Sequence, residues 1–314
     1  IEKFQSITGI DERKYVSGEV KSSDLAAIAA KKAIKDSNIN QETLDYIIVA
    51  HNFGDISCDS SQIDTLPSLS SRVKTILKIK NPKCVAYDII CGCPGWVEGV
   101  IQAKSFIKSG MANKCLVIGS DTLSRVTDDN DRDSMIYADG SGAIILESND
   151  SDDSGILSHN SATYTFEGEN EFIYYGSSYN PKLSKNSNQK YIKMQGRKVY
   201  EFALTNVPAA MKDCFDESKC KIENLKKIFI HQANKKMDEA IIKRFFRLYK
   251  MSPPKDVLPM NIEEYGNSSV ATIPTLFDLV KKSDYKGHKL VKGDLIMFAS
   301  VGAGMNINAI TYQI

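Results

Sequence analysis

The chain has no long hydrophobic run. Nothing in it approaches the ~18 apolar residues of a membrane-spanning helix, and its first ten residues do not read as a signal peptide. It has no excess of charge of either sign. Forty Lys and Arg oppose thirty-nine Asp and Glu, a formal +1, so nothing in the balance calls for nucleic acid or an anionic membrane. Cysteine is present but unpatterned. Seven of them, an odd number without regular spacing, make no disulfide framework, and a reducing cytoplasm is the simplest setting. What remains, 42% hydrophobic and 25% charged, is the composition of an ordinary globular protein. Its 314 residues suffice for one large domain or two joined halves, each with a core.

The most informative stretch is Cys84 to Met111. It opens as a short apolar run with Val85, Ile89 and Ile90, the composition of a buried strand. Cys91-Gly92-Cys93 breaks the run, Pro94 suits the first position of a helix, and Val97, Val100, Ile101, Ala103, Phe106 and Ile107 then recur at helical spacing until Gly110. Cys93 therefore sits on a strand-turn-helix corner, where free N–H groups and the helix dipole favour a thiolate. The alternative is that it is a small buried apolar residue.

Elsewhere the pattern alternates strands and helices. Ser22-Ser23-Asp24 offers caps for the helical run LAAIAAKKAIKDSN, Leu44 to Ala50 reads as a buried strand, and Pro67 to Ile79 as a helix. A strand is expected at Cys115 to Gly119, a loop around Arg132, and a strand after Gly140-Ser141-Gly142. From Asn149 to about Gln189 the chain turns polar and reads as a junction or an excursion of surface hairpins, whose aromatics (Tyr164, Phe166, Phe172, Tyr174, Tyr175) require burial. Helices are expected at Arg197 to Phe215, Lys235 to Leu248 and Val270 to Lys281, and strands at Ile228 to Ile230, Leu295 to Ser300 and Asn306 to Ile314.

The order of parts repeats. LDYIIVAHN resembles LKKIFIHQAN, and KCLVIGSD followed by GSGAIILE is echoed by GDLIMFASVGAG followed by MNINAITYQI. Two pseudo-equivalent α/β halves follow, 1–150 carrying Cys93 and 151–314 carrying His231 and Asn267. Those three residues occupy analogous corners, and strand ends of an α/β sheet are where side chains converge on one crevice. A thiol, an imidazole and an amide together suit acyl transfer. Taken singly, His231 also reads as a structural hydrogen-bonder and Asn267 as a turn residue.

The sequence resembles the β-ketoacyl-acyl-carrier-protein synthase III enzymes of the thiolase superfamily. The resemblance runs from TGIDER to the C-terminus and rests on DIICGCPGW around Cys93, GSD at Gly119 to Asp121, DGSGA at Asp139 to Ala143, HQAN at His231 to Asn234, YGNSS at Tyr265 to Ser269, and GAG at Gly302 to Gly304. It implies a thiolase-like αβαβα layered fold and a decarboxylative Claisen condensation, in fatty-acid or related specialised lipid or polyketide synthesis. It implies that Cys93 takes an acyl group from acyl-CoA or acyl-carrier protein, and that His231 and Asn267 hydrogen-bond the thioester carbonyl of malonyl-carrier protein. The backbone N–H groups of Cys93 and Ala303 would form the oxyanion hole. By the same resemblance Gly196 and Asn234 line the pantetheine tunnel, Arg132 packs on the CoA adenine, Lys236 lies near the carrier-protein entrance, and Leu66 enters the acyl pocket of a partner subunit, so a homodimer is implied. No resident cofactor is implied, CoA or phosphopantetheine thioesters being substrates. Alternatives within the fold are a non-decarboxylative acyltransferase and a non-catalytic partner subunit.

The chain also departs from that family. Elements that usually precede TGI are not in it, Lys3 and Ile7 stand where a tryptophan and an arginine meet the CoA nucleotide, and Arg197 follows the tunnel glycine in place of asparagine. Pro94 replaces a small residue after the nucleophile, and the segment from His51 to Pro67 is longer than usual. Cys91 adds a second thiol, but no second Cys/His cluster with ligand spacing accompanies it, so no metal is expected.

Overall fold

The structure, a computed structural model, describes residues 2–60, 62–148, 154–182 and 189–314. In chain order its elements are α1 (Glu2–Thr8), α2 (Ser22–Ser37), β1 (Tyr46–Ala50), α3 (Leu69–Ile76), β2 (Val85–Ile89), α4 (Gly95–Lys108), β3 (Lys114–Thr122) and β4 (Asp139–Glu147). There follow β5 (Gly155–Thr163), β6 (Ile173–Ser177), β7 (Lys190–Met194), α5 (Gly196–Glu217), β8 (Leu225–Ile230), α6 (Lys235–Leu248), α7 (Ile262–Tyr265), α8 (Thr272–Lys282), β9 (Leu295–Gly302) and β10 (Asn306–Gln313).

Alternation along the strands builds five layers. In β1, Ile47 and Val49 pack on α2 and α3 through Ala26, Ala30, Leu69 and Val73, while Ile48 and Ala50 point to the other face. In β8 and β9, Ile228, Ile230, Met297 and Ala299 pack on α5 and α6, while Phe229, Ile296 and Phe298 point inward. The two inward faces share one core with α4 (Trp96, Val97, Val100) and α8 (Ile273, Leu276, Phe277). Helices α4 and α8 are thus the central layer of an αβαβα sandwich. A strand buried on both faces cannot be polar, which is why YIIVA and KIFI read as near-continuous apolar runs.

The two sheets are related. The first has the order β2-β1-β3-β4 and the second β5-β10-β9-β8. β1 runs parallel to β3 and β3 antiparallel to β4, as β8 runs parallel to β9 and β9 antiparallel to β10. The expected two pseudo-equivalent halves are therefore present in the folded chain. The boundary expected at 150/151 falls outside the described residues.

Three local expectations need correction. Ser22 and Ser23 do not cap α2: both are buried inside its first turn, and it is the Asp24 carboxylate that turns back to accept the Lys21 N–H at 3.0 Å. The polar stretch is not all surface hairpin, because Gly155–Thr163 pairs along β10 as a strand of the second sheet. Among the described residues of the stretch, β6 and β7 alone make a separate hairpin. Residues 149–153 and 183–188 of that stretch lie outside the described residues. Of its aromatics, Tyr164 and Phe172 pack on the second core, but Phe166 is 99% exposed.

Candidate active site

The corner after β2 is held by two interlocking turns. Gly92 has φ +63°, and a Cβ there would lie 2.7 Å from the backbone nitrogen of Ala303. Across from it, a Cβ on Gly302 would lie 2.4 Å from the backbone nitrogen of Cys93. Only glycine permits this approach, and the backbones of Cys93 and Ala303 lie against one another because of it. Asn306 fixes the second turn by donating to the Ala303 carbonyl at 2.8 Å. Pro94 caps α4 with φ −67°, one position earlier than expected.

His231 leaves the end of β8 and is 3% exposed. Its Nδ1 is 2.8 Å from the hydroxyl of Thr272, which in turn is 3.0 Å from the Ser269 carbonyl. That hydroxyl has one proton. Directed at the carbonyl, it leaves Nδ1 to donate; directed at Nδ1, it places the ring proton on Nε2. Burial lowers the His231 pKa to about 4, so the ring is neutral at physiological pH. Asn267 is held at two points. Its backbone pairs with Ile136 and Ala138, and its Oδ1 accepts the Ser269 N–H at 2.8 Å, which leaves the amide nitrogen as its free donor.

A second set of polar groups was not singled out from the sequence. Ser269 Oγ lies 3.3 Å from Cys93 Sγ and accepts a hydrogen bond from Asn52 Nδ2 at 2.8 Å. Asn52 also donates to Asp121, from its backbone N–H (2.8 Å) and its amide (2.6 Å). Asn52 follows β1, Asp121 is the penultimate residue of β3, and Cys93 follows β2, so three neighbouring strand ends meet the 266–271 turn from the other half. Ser269 is in the left-handed region at φ +53°, a backbone conformation unfavourable for serine and held here by the contacts around it. The only sequence signals were the GSD and GNSS motifs, which carried no individual roles.

The electrostatics correct one expectation. Cys93 stands at a helix start, yet burial pushes its pKa up to about 12, only partly offset by the hydrogen bond with Ser269. Desolvation outweighs the donors of one helix end. Burial likewise raises Asp121 to about 6, against the pull of Asn52 and His51. Cys91, lining the same cavity, is raised to about 11 by burial. Among the described residues no group of three or more His, Cys, Asp or Glu is placed to hold a metal ion.

Cys93, His231, Asn267 and Ala303 line one cavity of about 360 Å3, together with Ser269, Tyr137 and the hairpin residues Ile173, Tyr174 and Tyr175. A second cavity, of about 640 Å3, is lined by Arg132, Gly196 and Asn234. The two share Ile136, Met194, Val199, Ala233 and Met237, so they adjoin, the second lying outward of the first. Ile7 and Arg197 line the outer cavity, with Arg197 paired to Glu201 at 2.8 Å; the Lys3 side chain lies outside the described residues. Lys236 is exposed at the start of α6 and lines neither cavity. Leu66 is 88% exposed and lies outside both as well.

Comparison with known proteins converges on one family. Residues 87–165 match 3-oxoacyl-[acyl-carrier-protein] synthase III, and residues 215–314 match the C-terminal part of the same synthase. The chain is 34% identical over 308 residues to the β-ketoacyl-[acyl-carrier-protein] synthase III of Streptococcus gordonii, covering 97% of this chain and 88% of the relative. It is 30% identical over 321 residues to that of Microcystis aeruginosa, covering 99% and 89%. Among solved structures it is similar to 3-oxoacyl-[acyl-carrier-protein] synthase III from Aquifex aeolicus, with a TM-score of 0.83 and 28% identity, over 100% of this chain and 91% of the other. The corresponding Thermus thermophilus structure has a TM-score of 0.83 and 26% identity, covering 100% and 90%.

Proposed function

The chain belongs to the β-ketoacyl-[acyl-carrier-protein] synthase III family, and from that premise we propose that it condenses an acyl thioester with malonyl-acyl-carrier protein, with loss of CO2, to give a β-ketoacyl-carrier protein. It is a condensing synthase, a transferase of acyl groups. The observation that carries the reading is the single cavity that holds Cys93, His231, Asn267 and the Gly302–Gly304 turn.

In the first half-reaction Cys93 Sγ attacks the donor thioester carbonyl. The negative charge that develops on oxygen is met by the backbone N–H groups of Cys93 and Ala303, and each such preorganised donor is worth roughly 3–4 kcal/mol in the transition state. The donor's thiol leaves, and the acyl group stays on sulfur. In the second, malonyl thioester enters. The amide nitrogen of Asn267 donates to its carbonyl, as does Nε2 of His231 in the tautomer that the Thr272 hydroxyl selects by turning to Nδ1. Charge from the breaking C–CO2 bond flows onto that oxygen, CO2 departs, and the carbanion attacks the acyl carbon, returning Sγ of Cys93 as the leaving group. A neutral His231 is the right donor here, since an imidazolium would protonate the enolate before it reacts. Release of CO2 drives the carbon–carbon bond, so the chemistry asks for no resident cofactor, and the covalent intermediate makes the kinetics ping-pong.

The outer cavity is read as the pantetheine passage, with Gly196 and Asn234 along it and Arg132 at its mouth for a CoA nucleotide. Lys236 is read as a contact for the acidic surface of a carrier protein. Ion pairing of Arg197 with Glu201 beside Ile7 gives a nucleotide site unlike the family's usual one, which favours acyl-carrier protein as donor. Leu66, so exposed on one chain, is read as the residue a second copy covers, in a homodimer whose partner's acyl pocket it enters. The halves divide near residue 150. A cytoplasmic setting suits a site that needs a free thiol.

The test is product formation from malonyl-carrier protein with a panel of acyl-CoA and acyl-carrier-protein donors, following CO2 and β-ketoacyl product. Stoichiometric release of both is expected, and its loss in Asn267→Ala with acyl-Cys93 still forming. Transfer of the acyl group to an alcohol or amine without CO2 would overturn the reading.

A further inference from the structure

Cys93, His231 and Asn267 come from three separate corners, and they have one common neighbour that the mechanism above leaves unused. Ser269 meets each of them through a different group. Its hydroxyl donates to Cys93 Sγ at 3.3 Å. Its backbone N–H donates to Asn267 Oδ1 at 2.8 Å, and its carbonyl lies 3.0 Å from the Thr272 hydroxyl that stands against His231. The residue is 2% exposed and held at φ +53°, a strained conformation of the kind that clusters at functional sites. The backbone contacts alone would serve a turn residue. They do not account for a hydroxyl aimed at sulfur.

We propose that Ser269 is a further catalytic residue whose hydroxyl stabilises negative charge on Cys93 Sγ, and that Asn52 is a positioning residue that fixes the direction in which it donates. The proposal rests on the reading of Cys93 as the acyl-accepting nucleophile. The direction is set from Asp121 outward. Its two carboxyl oxygens accept the Asn52 backbone N–H at 2.8 Å and the Asn52 amide N–H at 2.6 Å, so Asn52 presents nitrogen on this side and not oxygen. The second proton of that amide nitrogen meets Ser269 Oγ at 2.8 Å. With a lone pair of the hydroxyl occupied by Asn52, the single proton of Ser269 is left for Cys93, and that is the bond observed. A hydrogen bond to a charged group is about twice as strong as one between neutral groups, so this donor holds a thiolate better than a thiol. Only such a difference between ground and transition state speeds a reaction.

One donor then serves both half-reactions. In the first, the Cys93 S–H bond breaks and an S–C bond to the acyl group forms, while the donor's C–S bond breaks and its sulfur leaves as a thiol. The two sulfurs have exchanged an acyl group for a proton. In the second, the charge of the malonyl carboxylate passes through the carbanion to Cys93 Sγ as the new C–C bond forms and the Cys93 S–C bond breaks. The thiolate so released takes a proton from water. Charge gathers on the same sulfur both times, and Ser269 faces it both times. The titratable groups facing Cys93 are Asp121 from β3 and Tyr137 from the segment before β4, with Cys91, His231, Tyr174 and Tyr175 around the same cavity. None of these is a cation at neutral pH, since His231 is neutral there, and Asp121 opposes a thiolate. Among the described residues, Ser269 is the side chain that donates to this sulfur.

The test is iodoacetamide alkylation at Cys93, mapped by peptide mass from pH 6 to 9, in wild type, Ser269→Ala, Ser269→Gly, Asn52→Ala and the Asn52→Ala/Ser269→Ala double variant. Alkylation uses no acyl donor, so it reads the sulfur apart from the condensation. Loss of the hydroxyl is expected to raise the thiol pKa by roughly one to two units, the worth of a hydrogen bond to a charged group. A more basic thiolate is a better nucleophile, which offsets about half of that, so alkylation at pH 7 slows roughly three- to tenfold. Glycine is at ease at φ +53°, so Ser269→Gly should unfold at a higher temperature than Ser269→Ala and yet be alkylated as slowly. Asn52→Ala is expected to slow alkylation by less, the hydroxyl being free to turn away, and to add nothing to Ser269→Ala in the double variant. With acyl donors, Ser269→Ala is expected to slow acylation and condensation together, whereas Asn267→Ala slows condensation alone. Alkylation of Ser269→Gly at the wild-type rate, or acylation of Ser269→Ala at the wild-type rate, would overturn the donor role. Additive effects would overturn the positioning role of Asn52. Slow alkylation of both Ser269 variants, in an enzyme whose wild type no acyl donor modifies, would uphold the donor to sulfur and refute the proposed function instead.

Discussion

Asp121 and Asp128 are equally buried, each 2% exposed, and they ionise in opposite directions. Asp121 is raised to about 6, because burial is met only by neutral donors and the distant His51. Burial would raise Asp128 too, but the ammonium of Lys193 at 2.5 Å, the Tyr179 and Asn130 N–H groups and the Ser178 hydroxyl overcome it and hold this carboxyl far below the ordinary range. Lys193 also pairs with Asp131 at 3.0 Å and lies under the ring of Tyr179. The paired centre ties the β6–β7 hairpin to the 128–136 segment, and both of these line the site. The difference teaches that burial sets the size of the electrostatic problem and the partner sets its outcome. Where a charge must hold structure, this fold pairs it. Where no cation is supplied, as at Asp121, burial wins and the protonated carboxyl is favoured.

Lys193→Met breaks the paired centre and is expected to have the largest effect on stability. It strands two carboxylates without their cation, and losing one member of a buried pair costs about 3–5 kcal/mol. Thermal unfolding measures it, and a loss below ~1 kcal/mol, the value of a surface pair, would show that the centre is not electrostatically tight.

The unpaired centre gives the next effect. Asp121 has a folded pKa above its unfolded value, so its contribution to stability is complete below about pH 4 and is lost as pH rises through about 6. That difference in proton affinity between the folded and unfolded chain amounts to about 3 kcal/mol over this window. Asp121→Asn is therefore expected to flatten the stability profile from pH 4 to 7 in denaturant titrations, and an unchanged slope would mean that Asp121 is ionised throughout.

Thr272→Val tests the neighbouring imidazole. It removes the hydroxyl that selects the His231 tautomer, and decarboxylation is expected to slow about tenfold, equivalent to ~1.4 kcal/mol, with acylation of Cys93 unchanged. Equal slowing of both half-reactions would point to general disruption. The smallest effect is expected at the surface. Arg197→Ala breaks an exposed pair with Glu201, so the melting temperature should not move, while KM for acyl-CoA shifts relative to acyl-carrier protein. A shift in neither KM would remove Arg197 from donor choice.

Much of this arrangement was legible in the sequence. The α6 bounds, Lys235–Leu248, are those expected from periodicity, whereas the capping role of Asn234, whose side chain accepts the Met237 N–H at 3.1 Å, was not foreseen. The Cys93 corner followed from an apolar run broken by Gly92 and Pro94. Its ionisation did not, because desolvation depends on what the other half of the chain lays over it. The same limit hid Ser269 and Asn52, whose hydrogen bond spans 217 residues and has no local signature. Phe166 escapes the expectation of burial because composition says only that aromatics are usually buried, while its neighbours Glu167 and Gly168 form an exposed turn.

The central claim is that Cys93 carries the acyl group between two thioester substrates. Intact-protein mass after mixing with acyl-CoA and acyl-carrier-protein donors tests it most directly, with Cys93→Ala alongside. The account predicts one acyl adduct on wild type, none on Cys93→Ala, and discharge of the adduct by malonyl-carrier protein with CO2 release. An adduct that persists in Cys93→Ala, or condensation that proceeds without one, would contradict it.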